Sequence, residues 1–365
     1  MLAQSVRNPA ELQRMPSGLD APEPGVAVLL NANARKVGER VIRAISHVVP
    51  KDDLFVSRSA TDARRIALTV LERGYGTVFL GGGDGTFVGF TNELIELLAQ
   101  PGRFLGAQMP RIGMLKLGTG NGLATYVNAS SLRGDGILDD VLRARAGEVP
   151  GYRRMELVQV DGVAAPFAGV GVDGKILNDY LWVKNTMGRG FLQHVLSGPG
   201  GYLASVALRT VPYYCTHSTN SQCEVRNGQT GPAYRLAPDG SVMEEVAPGG
   251  LLFRGKLMMA SAATIPFYGF GFKMFPFAGQ RRGMMNVRLG AVNVAEVLSN
   301  LPKLWKGKWF PENKILDFHA TSVDVQMATA MAFQVGGDAA GYRNHVRFGI
   351  SPQTVEMVDY TGALN

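Results

Sequence analysis

Residues 77–86 join a short apolar strand directly to a glycine-rich turn, and this junction constrains the fold of the chain more than any other feature. The segment reads Thr-Val-Phe-Leu-Gly-Gly-Gly-Asp-Gly-Thr. Glycines let the backbone turn sharply and approach a ligand with no Cβ in the way. Successive free N–H groups in such a turn form a concave site for phosphate oxygens. A helical pattern over residues 91–99 follows, so the positive end of a helix would face the same site.

A second junction of the same kind lies at residues 111–124. Residues 111–117 have strand character and run into Gly-Thr-Gly-Asn-Gly-Leu-Ala. One glycine-rich loop alone is also typical of a turn without a ligand. Two such loops at the ends of adjacent parallel strands would meet at one edge of an open α/β sheet, where ligands bind. The pair therefore predicts a nucleotide site between the loops.

The periodicity of apolar residues predicts two domains. Up to residue 150, apolar runs of strand length alternate with helical patterns, which is typical of a doubly wound, mainly parallel α/β sheet. After residue 151, short strands separated by glycine turns predict a β-sandwich-like domain. We therefore expect an α/β nucleotide-binding domain over residues 25–150 and a β-rich substrate domain over residues 151–349, with residues 350–365 available to pack back on the first domain.

Three segments depart from this alternation. Residues 1–24 carry charges and prolines but no apolar run of the kind found in signal peptides, and we interpret them as a flexible arm. A helical pattern over residues 178–209 interrupts the second domain. Residues 216–250 are polar with little periodicity, which favours a long hairpin or an inserted segment.

Composition narrows the classes of protein and of partner. The 365 residues carry a formal net charge of +7, which favours an acidic partner such as a nucleotide, a nucleic acid or an anionic lipid. No apolar stretch is long enough to span a bilayer, and the two cysteines make neither a disulfide framework nor a zinc site. Residues 301–310 mix tryptophan with lysine, as interfacial segments do, although a packed core with solvated lysines fits equally. We expect a cytoplasmic protein with peripheral membrane contact and no nucleic-acid partner; the oligomeric state stays open.

In their order and spacing, the two loops resemble those of the diacylglycerol-kinase and sphingosine-kinase catalytic family, whose fold is related to that of NAD kinases. Residues 82–86 match the family's Gly-Gly-Asp-Gly-Thr loop, which binds ATP phosphates, and residues 118–121 match its second nucleotide loop. The resemblance implies a kinase that uses ATP and Mg²⁺. It also implies nucleotide contacts from Asn31, Asn33, Ser57, Gly82, Gly83, Gly85, Thr86, Gly118, Thr119, Gly120 and Asn121.

Other segments are more similar to the sphingosine- and ceramide-kinase branch. Gly122-Leu123-Ala124 stands where diacylglycerol kinases usually begin with Asp, and the region of Asp173 resembles one whose Asp recognises the lipid head group. Residues 265–282 resemble an aromatic-rich segment of lipid kinases, which suggests Phe267 and Tyr268 as lining of a lipid slot. The resemblance thus implies transfer of the γ-phosphate of ATP to a primary hydroxyl of ceramide or a sphingoid base. Diacylglycerol is the alternative substrate.

Phosphoryl transfer needs a proton acceptor for the attacking hydroxyl and a divalent metal. Asp84 is the expected base, with metal ligand or helix cap as alternatives. Glu93 is expected as a second metal ligand, provided that its helix begins about one turn early. The family's C-terminal Asp-Gly-Glu reads Gly-Gly-Asp at residues 336–338, which makes Asp338 the candidate substitute acid.

The departures from the family pattern at positions 122, 282 and 336 leave two other functions open. One is a lipid-binding pseudokinase that binds nucleotide without turnover. The other is a kinase of a soluble substrate such as NAD, against which the aromatic-rich segment at residues 265–277 argues.

Overall fold

The structure is a computed structural model that describes residues 25–104, 106–131, 136–149, 151–175 and 220–361. The predicted arm (1–24) and the predicted helix (178–209) lie outside the described residues. Across the described ranges, no helix is both long and apolar enough to cross a bilayer.

The first domain is a parallel sheet covered by helices, as the sequence predicts. Its strands are β1 (Val26–Asn31), β2 (Leu54–Ser57), β3 (Thr77–Gly82) and β4 (Arg111–Lys116), arranged in the order β2-β1-β3-β4. Its helices are α1 (Glu39–Ser46), α2 (Ala60–Glu72), α3 (Asp84–Leu98), α4 (Gly122–Tyr126) and α5 (Gly136–Arg145). Strands β1, β3 and β4 read as continuous apolar runs because helices bury both of their faces.

Helix α3 begins at Asp84 rather than at residue 91. Gly85 and Gly89 make the sequence of the first turns look like a loop, because glycine is a poor helix former. The apolar side chains of Phe87, Val88 and Phe90 are nevertheless buried on the sheet. The helix therefore starts directly at the glycine loop.

The second domain is built from antiparallel strands, as expected for a β-sandwich-like fold. They are β5 (Tyr152–Val160), β6 (Val163–Ala165), β7 (Phe167–Gly171), β8 (Ser221–Asn227), β9 (Ala233–Leu236), β10 (Val242–Val246), β11 (Leu251–Leu257), β12 (Met259–Ala263), β13 (Met285–Gly290), β14 (Ile315–Ala320), β15 (Ser322–Val335) and β16 (Asp338–Val358). Two short helices, α6 (Val294–Ser299) and α7 (Leu301–Trp305), connect β13 to β14.

Of the two interpretations of residues 216–250, the insertion has to be corrected for the described part, residues 220–250, whose antiparallel pairings agree with the hairpin alternative. Strand β8 pairs with β11 and β15, and β9 pairs with β14. Buried residues alternate with more exposed ones along β8, as in a strand with one face in solvent. The solvent-facing residues gave the segment its polar character, although it is part of the sheet.

Strand β16 connects the two domains. It leaves β15 through the two-residue turn Gly336-Gly337, whose φ angles of 59° and 90° suit a tight hairpin. Further along, β16 pairs with β5 and reaches β4 of the first sheet through Met357 opposite Ile112. The turn therefore brings the first residue of β16, Asp338, to the start of α3.

Candidate active site

The two glycine loops touch each other. A Cβ on Gly118 would stand 2.2 Å from the Cα of Gly83 and 2.9 Å from the carbonyl oxygen of Gly82. A Cβ on Gly82 would lie 2.2 Å from the Oγ1 of Thr86. Only glycine permits this approach of the two backbones, and the carboxyl ends of β3 and β4 consequently form one surface.

Replacement of Gly118 by alanine is expected to destabilise the protein by about 3 kcal/mol, since overpacking against backbone atoms forces the loops apart. Gly120→Ala is the matched control, because a Cβ there would meet no atom closer than 3.6 Å. We expect its free energy of unfolding to stay within about 0.5 kcal/mol of the parent value. Denaturant unfolding of both variants measures the difference, and equal stability would contradict the close approach.

The end of β1 contacts the first loop through side chains. The amide of Asn31 donates from Nδ2 to Oγ1 of Thr86 at 2.9 Å, and its Oδ1 accepts from the backbone N–H of Asn33 at 2.9 Å. Ser57 lies opposite Asn31 in the β1–β2 pairing and donates its hydroxyl to the carbonyl of Ser59 at 3.0 Å. The structure thus brings Asn31 and Thr86 together, whereas the side chains of Asn33 and Ser57 donate to neighbouring backbone carbonyls.

Asn121 fixes the second loop. It adopts a left-handed conformation with φ of 52°, and its side chain closes a ring on Gly118. Nδ2 donates to the Gly118 carbonyl at 2.9 Å, and Oδ1 accepts from the Gly118 N–H at 3.0 Å. Thr119 lies within this loop, and its N is 3.8 Å from the Cβ position of Gly83.

Asp84 connects the two loops. Its Oδ2 accepts the N–H of Gly122 at 2.9 Å and its Oδ1 accepts the N–H of Leu123 at 3.0 Å, so that it holds the first turn of α4. Burial raises the pKa of this carboxyl, the two backbone donors lower it, and the charge of Asp338 raises it further. Both oxygens of Asp84 are therefore engaged in structure, and it caps α4 rather than its own helix.

Asp338 is the second carboxylate at this site. Its Oδ2 lies 2.9 Å from the position of a Cβ on Gly85, directly over the first turn of α3. Although the residue is exposed overall, the neighbouring protein displaces water from the carboxyl and raises its pKa. Its side chain accepts no hydrogen bond from any residue that the structure describes. It is the acid beside the loops that is free to act on a ligand.

The prediction that Glu93 faces the site has to be corrected. It lies nine residues after Asp84 on α3, which is half a turn away around the helix. Its carboxylate pairs with Arg64 of α2 at 2.9 Å. The preceding residue, Asn92, donates to and accepts from the backbone of Ala164 in β6. In a helix that starts at Asp84, Glu93 therefore points away from the loops. Glu93 and Asn92 instead hold α3 against α2 and β6.

Asp173 lies in a buried polar cluster next to β7. Its carboxylate accepts hydrogen bonds from Gly174 N at 2.8 Å, Ser261 Oγ at 2.8 Å, Tyr268 OH at 2.9 Å and Gln334 Nε2 at 3.3 Å. Burial raises its pKa, and the four donors partly offset this. The carboxylate is thus surrounded by donors of the protein itself.

Gln334 links this cluster to Asp338. It is fully buried, its Nε2 also donates to the Tyr268 hydroxyl, and its Oε1 accepts the N–H of Gly337 at 3.1 Å. Gly337 precedes Asp338 in the β15–β16 turn. Sequence reasoning missed Gln334 and Ser261, because only the pairing of β7 with β12 and β15 brings them to Asp173.

The aromatic segment covers the second loop. The N–H of Phe270 donates to the Gly120 carbonyl at 2.8 Å. A Cβ on Gly122 would lie 3.1 Å from both the carbonyl oxygen of Phe267 and Oδ2 of Asp84. Tyr268 stacks on Phe167 with ring centroids 4.6 Å apart. The glycine at position 122 therefore gives the aromatic segment room to pack over α4.

Arg288 anchors the far end of the same segment. Its guanidinium is buried and forms a bidentate ion pair with Asp317, with an Nη2–Oδ2 distance of 2.9 Å. Its Nη1 donates to the Met274 carbonyl at 2.8 Å. A buried charge is tolerated when it is paired and hydrogen-bonded in this way. The network fixes the aromatic segment to β13 and β14.

In the described ranges, no cluster of three or more His, Cys, Asp or Glu side chains could hold a metal ion by itself. The site instead offers two carboxylates, Asp84 and Asp338, beside a surface of backbone N–H groups and the N-terminus of α3. Such a surface suits an anionic ligand.

Comparison with known proteins agrees with this chemistry. Residues 26–150 match the model of the diacylglycerol kinase catalytic domain, and residues 228–359 match that of the YegS C-terminal NAD kinase β-sandwich-like domain. No curated protein matches the chain. The chain therefore carries the catalytic domain of this lipid-kinase family, and it is an ATP-dependent kinase.

Solved structures share the fold. A diacylglycerol kinase from Bacillus anthracis str. Sterne is similar with a TM-score of 0.56 and 14% identity, over 93% of this chain and 98% of that one. A second protein of that strain, provisionally assigned as a diacylglycerol kinase, gives a TM-score of 0.57 and 13% identity, over 92% and 97% of the two chains. At such identities the likeness concerns the fold alone.

Proposed function

We propose that this chain, which carries a diacylglycerol kinase catalytic domain, transfers the γ-phosphate of ATP to the hydroxyl of a neutral glycerolipid of the diacylglycerol type. The observation that carries the proposal is the contact between the two glycine loops beside a carboxylate, Asp338, without a partner among the described residues. The matched domain supports the same reaction and favours diacylglycerol over the sphingoid lipids that the sequence resemblance implies.

The state of Asp173 also favours a neutral lipid. A sphingoid base carries an ammonium group, which needs an unengaged, ionised carboxylate as its counterion. Asp173 accepts four hydrogen bonds from the protein, and burial raises its pKa. Its role in the proposal is to hold Tyr268 and Gln334 in place beside the β15–β16 turn. Phe267 remains the candidate for contact with the lipid's apolar part.

Backbone amides and a helix terminus bind the nucleotide in this proposal. N–H groups of residues 82–85 and 119–121 hold the phosphates, and the positive end of α3 adds to the stabilisation of negative charge. Asp84 keeps the two loops in contact through α4. Asn31 fixes the Thr86 hydroxyl at the end of the first loop.

Asp338 accepts the proton of the attacking hydroxyl. Sequence reasoning favours Asp84 for this role, but both oxygens of Asp84 accept backbone N–H groups. Asp338 is exposed, has no partner among the described residues and has a raised pKa. A raised pKa makes a carboxylate a better proton acceptor near neutral pH.

The donor set beside the loops fits Mg²⁺, which usually takes one or two protein carboxylates and completes its shell with phosphate and water oxygens. Asp84 is the residue that would hold it, because each of its oxygens accepts only one backbone N–H and keeps a further lone pair, whereas Asp338 stays free as the proton acceptor. When bound, the ion neutralises charge on the β- and γ-phosphates. Glu93 is no part of this proposal, since it pairs with Arg64.

The test is an assay of the purified chain with labelled ATP and Mg²⁺ against diacylglycerol, ceramide, sphingosine and NAD. We expect label in diacylglycerol, at a rate about a hundred- to ten-thousandfold lower when Asp338→Asn replaces the parent. Label only in ceramide or sphingosine would restore the sphingoid assignment, and label only in NAD would indicate a soluble substrate. ATP binding without any product would identify a pseudokinase. Each of these three results contradicts the proposal.

A further inference from the structure

The helices α6 and α7 present an apolar surface to solvent. Leu298 is 46% exposed, Leu301 is 38% exposed and Trp305 is 37% exposed. Leu301 and Trp305 are four residues apart on α7 and therefore share one helix face. Large apolar side chains that gather at one place on a surface mark interaction sites more often than isolated ones do. We call residues 294–308 the α6–α7 surface.

This surface is held rigidly. Asn293 and Glu296 form a reciprocal capping box at the start of α6. The amide of Asn300 donates to the Glu296 carbonyl at 2.9 Å and joins the two helices. Leu304 is buried beneath α7 and anchors it to the core. The exposure of the apolar residues is thus built into the fold.

Lysines surround the apolar residues. Lys303, Lys306 and Lys308 are exposed, and none of them has a carboxylate within ion-pair distance among the described residues. Lys314, by contrast, is paired with Glu296. Tryptophan and leucine beside unpaired lysines suit the interface of a bilayer with negatively charged head groups. A protein partner would need an acidic, shape-matched surface instead.

We infer that the α6–α7 surface docks the kinase on an anionic bilayer. The inference rests on the proposed function, because a lipid kinase has to meet its substrate at a membrane. The indole of Trp305 stacks on Phe272 with ring centroids 5.1 Å apart. The backbone carbonyl of Trp305 accepts the N–H of Lys273 at 3.0 Å. Both residues belong to the aromatic segment that carries Tyr268. Docking therefore brings the bilayer against the segment assigned to the substrate.

Flotation with vesicles tests the inference in the absence of ATP. The parent is expected to bind phosphatidylcholine vesicles that contain phosphatidylglycerol and to bind pure phosphatidylcholine weakly. The triple variant Lys303→Gln, Lys306→Gln, Lys308→Gln should lose on the order of a hundredfold in affinity. Leu298→Ser combined with Leu301→Ser should also weaken binding. Lys51→Gln with Lys256→Gln removes exposed lysines elsewhere and should bind like the parent.

The possible results separate this inference from the proposed function. Equal binding by the parent and the triple variant, or binding that ignores phosphatidylglycerol, would overturn the docking surface. Self-association of the parent that the Leu298/Leu301 variant abolishes would identify the surface as a contact between copies of the chain, and would also overturn it. Vesicle binding as expected, together with no turnover of any lipid, would refute the proposed function and leave the docking surface intact.

Discussion

The Asp338→Asn variant is expected to bind ATP like the parent and to transfer phosphate a hundred- to ten-thousandfold more slowly, the range typical for loss of a general base (about 10²–10⁴). Asparagine keeps the shape of the side chain but accepts no proton. Asp338 accepts no hydrogen bond from the described residues, so its replacement leaves no buried group without a partner. The fold and the affinity for nucleotide should therefore survive.

The measurement is kcat and KM for diacylglycerol, together with nucleotide affinity by calorimetry. Glu93→Gln is the matched control, since it removes a carboxylate of α3 that pairs with Arg64 and lies on the side of the helix away from Asp84. It should retain parental activity. An Asp338→Asn variant with parental kcat would show that another group accepts the proton.

The pH dependence of kcat/KM gives a second readout on Asp338. The base works only when deprotonated, so activity should fall as the pH drops through its pKa. Loss of surrounding water raises that pKa above the ordinary value of 3.8, and the acid limb should therefore lie above pH 3.8. The acid limb should be absent from the pH profile of the residual activity of Asp338→Asn. An acid limb that persists in this variant would show that another group titrates.

The second large effect is expected for Asp84→Ala. The substitution leaves the N–H groups of Gly122 and Leu123 buried without an acceptor, at about 1–3 kcal/mol each, less the relief of removing a buried charge. We expect a loss of about 3 kcal/mol in the free energy of unfolding. We also expect loss of ATP binding, because α4 no longer fixes the second loop against the first.

Denaturant unfolding as a function of pH separates this role from a purely catalytic one. Burial raises the pKa of Asp84 in the folded state, so its stabilising contribution is fully present below the unfolded pKa and declines as the pH rises through the folded value. The stability difference between parent and Asp84→Ala should hence be larger in acid than at neutral pH. A variant as stable as the parent that still binds ATP would contradict the bridging role.

Local patterns predict most of the first domain. The apolar runs at β1, β3 and β4 predict buried parallel strands, and the two glycine loops follow at their carboxyl ends. The start of α3 escapes prediction because Gly85 and Gly89 weaken the helical pattern. Glu93 is expected at the site if the helix begins about one turn early, but α3 begins at Asp84, and this register turns Glu93 towards Arg64. In the second domain, the alternation along β8 was overlooked because polar residues fill its solvent face.

Contacts between distant parts of the chain decide the rest of the site. Nothing local to Asp84 reveals that the two N–H groups that donate to it belong to α4, and nothing local to Gln334 reveals its hydrogen bond to Asp173. The approach of Gly118 to Gly83 likewise depends on the register of β3 and β4. Asp338 could be singled out from its sequence context, yet its proximity to Gly85 requires the β15–β16 turn. The sphingoid preference drawn from the resemblance at residues 122–124 is one that the domain matches do not support.

The most direct test of the account is a crystal structure of the parent with Mg²⁺ and a non-hydrolysable ATP analogue. We predict that the phosphates lie against the N–H groups of residues 82–85 and 119–121, with the γ-phosphate facing Asp338 and with Asp84 still bound to the start of α4. A nucleotide bound elsewhere, or an Asp338 carboxylate turned away from the γ-phosphate, would contradict it.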